Sequence, residues 1–146
     1  MINVGDIIAI KNICFDEKIL DHAFKLGRPC IFIGEYGENM YFVPISSNGK
    51  SYLKIKPTKE NNLTKLCAIN VKQIIEKPIA FYEAHGRLSD EDIANMFISI
   101  KRYYRKITDD KTKIIVDLAN KYIEENSIVS YVDKDEKENK RKKDIK

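Results

Sequence analysis

Two apolar runs separated by a short polar stretch dominate the first third of the chain. Pro29–Glu35 and Met40–Ile45 are rich in β-branched and aromatic residues, and Tyr36–Asn39 between them holds turn-forming residues. Two such runs joined by so short a turn predict a β-hairpin. Antiparallel strands bring residues opposite one another, so the start of the first strand and the end of the second meet at one edge of the sheet. We therefore expect Arg28 to lie close to Ser46.

Other apolar runs in the N-terminal half indicate a small sheet. Four of them have strand composition: Asp6–Ile13, Ser51–Lys56, Lys65–Ile69 and Val71–Lys77. Apolar and polar residues alternate in the second of these, which is typical of a strand with one buried face. Gln73–Glu76, within the last run, fits a helical turn as well as a strand. We expect these runs and the hairpin to form a small twisted antiparallel β-barrel.

The hydrophobic period changes in the C-terminal third. Ser89-Asp90-Glu91-Asp92 combines a hydroxyl N-cap with acids in the first turn, which marks a helix start, and Thr108-Asp109-Asp110 repeats this pattern. Apolar residues follow the first start at helical spacing: Ile93, Phe97, Ile100, Tyr104 and Ile107. The second stripe consists of Ile115, Leu118, Ala119 and Tyr122. The sequence therefore predicts an α+β fold in which a C-terminal αα-hairpin packs on the barrel.

Length and composition fit one domain. With 146 residues, 43% of them hydrophobic, the chain is long enough to bury a core. We expect a single domain over residues 1–132, with the barrel near residues 4–80 and the helices near residues 89–125. Residues 133–146 are almost wholly charged and are expected to form a disordered tail, because they have too little apolar surface to bury. No apolar run has membrane-spanning length, so no membrane partner is expected. Asp6, Asp16 and Glu17 interrupt the apolar pattern of residues 1–20, so no signal peptide is expected.

The charge excess is small. Lysine and arginine total 26 against 22 aspartate and glutamate residues, which gives a net charge of +4. A mildly basic domain is compatible with RNA binding without requiring it. The three cysteines, Cys14, Cys30 and Cys67, stand in apolar runs and lack metal-ligand spacing. We therefore expect buried reduced thiols and a cytoplasmic protein.

The open end of the predicted hairpin supplies a candidate site. Arg28 opens the first strand, and Ser46, Ser47 and Lys50 follow the end of the second. A guanidinium grips two phosphate oxygens at once and stays protonated, while lysine adds a mobile charge and the hydroxyls orient or relay a proton. Such a cluster suits a phosphodiester. The alternative is that both segments are solvated turn and loop, because a lone arginine and a serine pair are common.

Three segments carry a resemblance to a known family: Val4-Gly5-Asp6-Ile7-Ile8, Gly27-Arg28-Pro29 and Pro44-Ile45-Ser46-Ser47. In this order and spacing they resemble the toxin endoribonucleases of the MazF/PemK fold. The later run Leu66-Cys67-Ala68-Ile69-Asn70-Val71-Lys72, followed by two helices, resembles one branch of it. That branch is the type III group of ToxN, AbiQ and CptN, whose antitoxin is an RNA. The resemblance covers residues 4–125.

The resemblance implies an SH3-like barrel of the MazF/PemK type. It also implies a metal-independent endoribonuclease of a toxin–antitoxin system that serves in phage defence. It implies attack by the RNA's own 2′-OH, which leaves a 2′,3′-cyclic phosphate and a 5′-OH. The implied partners are cellular RNA substrates and a structured, repeat-derived RNA antitoxin that the toxin also processes within a hetero-oligomeric protein–RNA assembly. No metal or cofactor is expected, since no His, Asp and Glu cluster has ligand spacing and no glycine-rich phosphate loop opens a helix.

We assign the four hairpin residues to steps of this reaction. Arg28 stabilises charge on the phosphoryl oxygens, and Ser46 positions or relays the proton of the 2′-OH. Ser47 binds the scissile phosphate, and Lys50 acts as a second cation or proton donor. Ser46 stands where the family often has threonine, which keeps the hydroxyl and loses the methyl that fixes its rotamer. The general base is not evident, because serine and lysine with ordinary pKa values are poor bases at neutral pH.

Further RNA contacts are expected in three segments. By the resemblance, the loop after the first strand lies over the active site and contributes His22 and Lys25. A groove for single-stranded RNA is expected along the second half of the barrel: Tyr52, Lys54, Lys56 and Lys65. Arg102 and Arg105 end the first predicted helix and are candidates for antitoxin RNA. The alternatives are a surface histidine, lysines that protect sheet edges and cations that favour a helix C-terminus.

Two hypotheses of different classes follow. The first is an endoribonuclease toxin silenced by an RNA, or, in a MazF-like variant, by a protein antitoxin. The second is a non-catalytic RNA- or protein-binding barrel, in which the segments around Arg28 and Ser46 are ordinary loops. Cleavage of RNA in the presence of EDTA distinguishes the two.

Overall fold

The computed structural model of the protein describes residues 1–10, 27–46, 53–107 and 109–126. Over these residues the fold is α+β: seven strands form one antiparallel sheet curved as a half-barrel, and two C-terminal helices pack on it. The strands are β1 Asp6–Ile10, β2 Arg28–Tyr36, β3 Asn39–Ser46, β4 Lys54–Ile55, β5 Cys67–Ile69, β6 Ile75–Pro78 and β7 Gly86–Arg87. The helices are α1 Asp90–Tyr104 and α2 Asp110–Glu125.

The predicted hairpin is confirmed. β2 and β3 pair antiparallel, and only Gly37 and Glu38 connect them. Gly37 has a φ of +61°, in the left-handed region that glycine enters without a steric penalty. Two-residue hairpin turns need this conformation at their first central position, because it matches the twist of the flanking strands. The turn chemistry therefore fixes the register of the two strands.

β3 is the central strand of the sheet. One of its edges pairs with β2, and its other edge pairs first with β6 and then, towards its end, with β5. The sheet continues from β2 through β1 to β7, and from β5 to β4. The last residues of β3 are therefore joined to the short strands β5 and β4.

The other strand predictions hold in part. The first predicted strand is formed over the part that is described, Asp6–Ile10, and the predictions near residues 51–56 and 65–69 correspond to the shorter β4 and β5. The last predicted strand is shifted to Ile75–Pro78. Ile75 and Glu76 pair with β3, so the helical turn considered for Gln73–Glu76 is wrong.

β7 was not predicted, because Gly86-Arg87 has no apolar pattern. Polar contacts with the start of the chain hold it in place. The Arg87 guanidinium lies 3.1 Å from an Asp6 carboxylate oxygen and donates a hydrogen bond of 2.9 Å to the Val4 carbonyl. A Cβ on Gly86 would overlap the backbone carbonyl of Asn61. The loop before β5 therefore packs directly against this strand.

Both predicted helix starts are confirmed. The Ser89 hydroxyl and the Asp109 carboxylate each accept a hydrogen bond from the backbone N–H three residues further on, at 3.0 and 2.9 Å. Each bond satisfies a donor that the first helical turn leaves without a partner. α1 ends at Tyr104. Ile107, which was predicted to continue the apolar stripe of this helix, lies beyond it and is 41% exposed.

The sheet has an apolar core on each face. The helix-side core joins sheet residues such as Ile31 and Val43 to α1 and α2. The far-side core, on the opposite face, consists of Ile8, Ile10, Cys30, Phe32, Met40, Phe42 and Ile75. Successive residues of β2 and β3 alternate between the two cores, as the pleat of a strand requires.

Two of the three cysteines lie among the described residues. Cys30 and Cys67 are both buried, as predicted, and no disulfide joins them. Cys14 and the charged C-terminal segment lie outside the described residues. Neither of the two described helices combines the length and the apolar character that a membrane crossing requires.

Candidate functional site

Arg28 and Ser46 stand at the same end of the hairpin. The pairing of β2 with β3 ends where Cys30 faces Pro44. Arg28 lies two residues before Cys30, and Ser46 lies two residues after Pro44. Because side chains two residues apart in a strand project from the same face, these four residues share one face of the sheet. The predicted approach of Arg28 to Ser46 depends on this register.

Ser46 also belongs to a series of paired residues that crosses three strands. It pairs with Ala68 of β5, and Ala68 pairs with Lys54 of β4. Directly opposed residues of antiparallel strands project from the same face. Since neighbouring strands lie about 4.8 Å apart, the Cα atoms of Ser46 and Lys54 are about 10 Å apart. Ala68 between them contributes only a methyl group and is fully buried.

We call four residues the cross-strand row: Arg28, Ser46, Ala68 and Lys54. This row lies on the face away from the helices. Ile45 and Ile69, which precede Ser46 and follow Ala68, pair with each other and belong to the helix-side core. At the other end of the row, Arg28 pairs with Ile10 of the far-side core. The row therefore extends the far-side core with polar residues at one end of the sheet.

The polar residues of the cross-strand row differ in their exposure to solvent. Arg28 and Ser46 are each 6% exposed, whereas Lys54 is exposed to solvent. A charge in such low-dielectric surroundings acts on its neighbours more strongly than it does in water. Burial raises the pKa of the Cys30 thiol to about 12, and the charge of Arg28, ahead of that of Lys77, acts in the opposite direction. Cys30 is therefore a neutral thiol at physiological pH, beside a buried guanidinium.

Two further predicted lysines lie beside Lys54. Lys56 follows β4 and Lys65 precedes β5, and both are exposed. The Lys56 carbonyl accepts a hydrogen bond of 2.8 Å from the Asn61 side-chain amide. The Lys65 carbonyl accepts one of 3.3 Å from the Cys67 thiol. These bonds hold the backbone of both lysines next to the short strands β4 and β5, and both side chains are exposed.

Arg102 and Arg105 lie in a different layer of the molecule. Arg102 is in the last turn of α1 and Arg105 is its C-cap, and both are exposed. α1 packs on the helix-side core, so the sheet separates these arginines from the face that carries Arg28. An RNA that contacts both groups has to pass around an edge of the sheet.

Five predicted site residues lie outside the residues that the structure describes: His22, Lys25, Ser47, Lys50 and Tyr52. Their predicted roles stay predictions. Two further residues near positive charge, Lys77 and Tyr103, were not among the site predictions. Lys77 pairs with Met40, and its charge reaches Cys30 on the far side. The sequence signal for this position was its place two residues after Ile75 in a predicted strand, which puts both side chains on one face.

Tyr103 is the second residue that the site predictions missed. Its side chain is 42% exposed, and the Lys72 ammonium lies 5.9 Å from the centre of its ring. The sequence signal was a tyrosine pair flanked by Arg102 and Arg105. Only Tyr104 of that pair fits the apolar stripe of the helix, which leaves Tyr103 for the surface.

The candidate site offers cationic and hydroxyl groups rather than metal ligands. In the described segments, no three His, Cys, Asp or Glu side chains are grouped as a metal site requires. The guanidinium, the hydroxyl and the ammonium of the cross-strand row suit an anionic ligand with several oxygen atoms.

The fold and this row define the protein as an α+β protein whose half-barrel sheet carries a polar, positively charged row on the face opposite its C-terminal helices. Comparison of the chain with protein-family models, with curated proteins and with solved structures finds no match.

Proposed function

We propose that the protein is a metal-independent endoribonuclease. In the proposed reaction the 2′ oxygen of one nucleotide forms a bond to the adjacent phosphorus, and the bond between phosphorus and the 5′ oxygen breaks. One proton leaves the 2′-OH and one reaches the departing 5′ oxygen, which gives a 2′,3′-cyclic phosphate and a 5′-OH. The observation that supports this proposal most strongly is the cross-strand row, whose cations and hydroxyl share one face and one end of the sheet.

Each polar member of the row has a proposed task. The Arg28 guanidinium binds two phosphoryl oxygens and stabilises the charge that develops on them in the transition state. The Ser46 hydroxyl positions the 2′-OH in line with phosphorus and relays its proton. Lys54, which is exposed, attracts the phosphate backbone of the incoming strand. Ser47 and Lys50 retain the tasks assigned from the sequence, as a ligand of the scissile phosphate and as a second cation or proton donor.

The burial of the row has a consequence for substrate access. Arg28 and Ser46 are each 6% exposed, so a phosphodiester reaches them only when the groups that cover them move aside. RNA binding therefore includes an opening step, which lowers the apparent affinity in proportion to the population of the open form. In return, the buried guanidinium acts on the phosphate in surroundings where its charge is little screened.

We also propose that this nuclease is the toxin of a type III toxin–antitoxin system of the ToxN, AbiQ and CptN group, with a MazF/PemK-type barrel and a structured RNA as its inhibitor. Support comes from the positions of the segments that carry the resemblance. Arg28 begins β2 and Ser46 ends β3. Gly5 has a φ of +96°, and a Cβ there would overlap the Ile93 side chain, so glycine in the first segment has a structural reason.

The decisive experiment incubates the purified protein with a structured RNA in the presence of EDTA and identifies the ends of the products. We expect cleavage that leaves 2′,3′-cyclic phosphate ends. Ser46→Ala should lower the cleavage rate by about 100-fold, the effect of a lost transition-state hydrogen-bonding group, whereas Ser46→Thr should retain activity because it keeps the hydroxyl. RNA that stays intact with folded wild-type protein over many substrates would overturn the proposal.

Matched control variants distinguish the loss of a site residue from a general loss of folding stability. Ser99→Ala, in α1 on the helix side, is the control for Ser46→Ala. Arg28→Lys keeps the positive charge but loses the fork of donors, so we expect it to fold and to cleave about 100-fold more slowly. Lys121→Arg, the reverse exchange at an exposed residue of α2, is its control. Equal cleavage by Arg28→Lys and Lys121→Arg would remove Arg28 from the site.

A second function is favoured by the low exposure of Arg28 and Ser46. In a non-catalytic RNA- or protein-binding barrel, these two residues stabilise the end of the sheet and only the exposed lysines around Lys54 contact a partner. Binding of RNA without cleavage, with Lys54→Ala weakening the affinity and Lys59→Ala leaving it unchanged, would favour this alternative.

A further inference from the structure

The corner between the two helices concentrates positive charge. Residues 101–113 hold six lysine or arginine residues against two aspartates, so this short segment has as large a net charge as the whole chain. The segment contains the last turn of α1 and the first turn of α2. Basic residues at the end of α1 stabilise the helix through its dipole, which explains why the charges there are positive. The helix dipole does not explain why an aromatic ring lies among them.

Tyr103 provides an exposed aromatic ring within this positive field. The Lys72 ammonium, from the turn between β5 and β6, lies 5.9 Å from the centre of the ring, within the range of a cation–π interaction. The neighbouring ring of Tyr104 contacts Tyr103 edge to face at 4.8 Å. The ring is therefore supported by the protein on part of its surface while 42% of the side chain is open to solvent.

Hydrogen bonds hold the residues around the Tyr103 ring in place. The Tyr104 hydroxyl donates a hydrogen bond of 2.7 Å to the Val71 carbonyl, which ties the end of α1 to the β5–β6 turn. The Asn70 side-chain oxygen accepts a hydrogen bond of 3.2 Å from the Lys72 backbone. The Lys111 ammonium donates one of 3.3 Å to the Ile74 carbonyl. Helix and turn therefore present Lys72 and Tyr103 together.

We infer that Lys72, Tyr103, Arg105 and Lys106 form a binding surface for single-stranded RNA, in which a base stacks on Tyr103 and the cations contact the flanking phosphates. We call these four residues the Tyr103 surface. Aromatic rings set among positive charges are the usual means of binding single strands without sequence preference. The inference rests on the proposed function only for the identity of the strand as RNA.

The Tyr103 surface is within reach of the cross-strand row. Lys72 follows Ala68 by four residues, so their Cα atoms are at most about 14 Å apart. Ala68 pairs directly with Ser46, and the backbone of Asn70 donates a hydrogen bond of 3.0 Å to Pro44 in the same strand as Ser46. Because β4 pairs with the outer side of β5, a strand bound at Ser46 reaches Tyr103 by passing around the β4 edge of the sheet. The surface would hold the part of the substrate that flanks the cut.

The test measures binding to an oligouridylate of about 12 nucleotides, a length within the usual site size, with 2′-O-methyl groups that prevent cleavage. Fluorescence anisotropy gives the dissociation constant. We expect Tyr103→Ala to weaken binding about tenfold, from the loss of one stacked base. Tyr103→Phe should bind as the wild type does, because it keeps the ring. Tyr36→Ala, which removes an exposed tyrosine at the other end of β2, is the matched control and should leave the affinity unchanged.

Salt dependence tests the charges separately. Lys72→Ala should lower the slope of log affinity against log salt concentration by about 0.7, the value for one phosphate contact on a single strand. Lys121→Ala, near the end of α2, should leave the slope unchanged. No binding by the wild type, equal affinities of Tyr103→Ala and Tyr36→Ala, or equal slopes of the two lysine variants would overturn the inference.

An unmodified oligonucleotide of the same sequence and the structured RNAs of the cleavage assay separate this inference from the proposed function. Tight binding of the methylated strand that depends on Tyr103, without cleavage of any of these RNAs, would support the surface and reject the nuclease. Cleavage of the unmodified strand with no effect of Tyr103→Ala on binding would reject the surface and support the nuclease.

Discussion

The two faces of the sheet differ in what they bury and in what they carry. Among the described residues, 21 buried apolar side chains form the helix-side core and seven form the far-side core. The helix-side core includes both helices, whereas the cross-strand row lies on the far side. Within the described part of the chain, most of the apolar burial, and with it most of the hydrophobic stabilisation, is therefore on the face without the candidate catalytic groups.

This division explains how the sheet accommodates a buried guanidinium and hydroxyl. Burying polar groups costs free energy that the rest of the fold has to offset. The helix-side core does so on the opposite face of the same strands, because the residues of β2 and β3 alternate between the cores. We therefore expect substitutions on the helix side to change stability, and substitutions on the far side to change activity more than stability.

The largest expected effect on stability is that of Phe97→Ala. Phe97 is fully buried in α1 and stacks on the ring of Tyr122 in α2 at 4.6 Å. Its truncation should lower the free energy of unfolding by about 3–5 kcal/mol, which urea denaturation measures. Phe81→Ala, at a side chain that is 85% exposed, is the control and should change little. A lower cleavage rate per folded molecule of the Phe97 variant would contradict the division between the faces.

The counterpart on the far side is Phe42→Leu. Phe42 is fully buried between Phe32 and Tyr82, with ring centres 5.6 and 5.5 Å away. The smaller side chain should lower the free energy of unfolding by about 1–2 kcal/mol. Because Phe42 shares a face of β3 with Ser46, its repacking should also lower the rate of RNA cleavage. Unchanged cleavage would show that the far-side core does not position the cross-strand row.

The parts of the fold that depend on local sequence were predictable. The hairpin follows from two apolar runs and a turn that contains Gly37, and the helix starts follow from Ser89 and Asp109. β7 was not predictable, because it depends on the pairing of Arg87 with Asp6, residues that are far apart in the sequence. The end of α1 was placed too late, since Ile107 fits the helical period but lies beyond the last turn.

The candidate site likewise has one part that local sequence predicts and one part that depends on distant residues. The hairpin register that sets Arg28 and Ser46 at one end of the sheet is local and was predicted. The alignment of Lys54 with Ser46 depends on β5, which pairs with both strands at Ala68, and no sequence pattern specifies that register. The contact of Lys72 with Tyr103 joins a turn of the sheet to a helix and was missed for the same reason.

Tyr104→Phe tests the link between α1 and the sheet. The Tyr104 hydroxyl donates a hydrogen bond to the Val71 carbonyl at 2.7 Å, and its loss should lower the free energy of unfolding by about 1 kcal/mol at neutral pH. Burial, with smaller effects of Tyr103 and Asp109, raises the pKa of the Tyr104 phenol from 10.0 to about 12. Between these two values the unfolded phenol has lost its proton and the folded one has not.

The stability of the wild type should therefore fall as the pH rises from 10 to 12, the ordinary and the raised pKa, and the variant should lack this component. The difference between wild type and Tyr104→Phe should shrink over that range in urea denaturation. A constant difference at all pH values would contradict the raised pKa.

The smallest expected change concerns the N-cap of α2. The Asp109 carboxylate accepts hydrogen bonds of 2.9 Å from the backbone N–H and the hydroxyl of Thr112. These bonds hold the pKa of the carboxyl below its ordinary value of 3.8. The stabilisation is therefore fully present above the unfolded pKa and is lost as the pH falls through the lower folded value. Asp109→Asn keeps a capping oxygen but does not titrate. We expect the urea midpoint of the wild type to fall more steeply with decreasing pH than that of the variant below about pH 4. Midpoints that fall equally in both proteins would show that the Asp109 cap does not contribute to the pH dependence of stability.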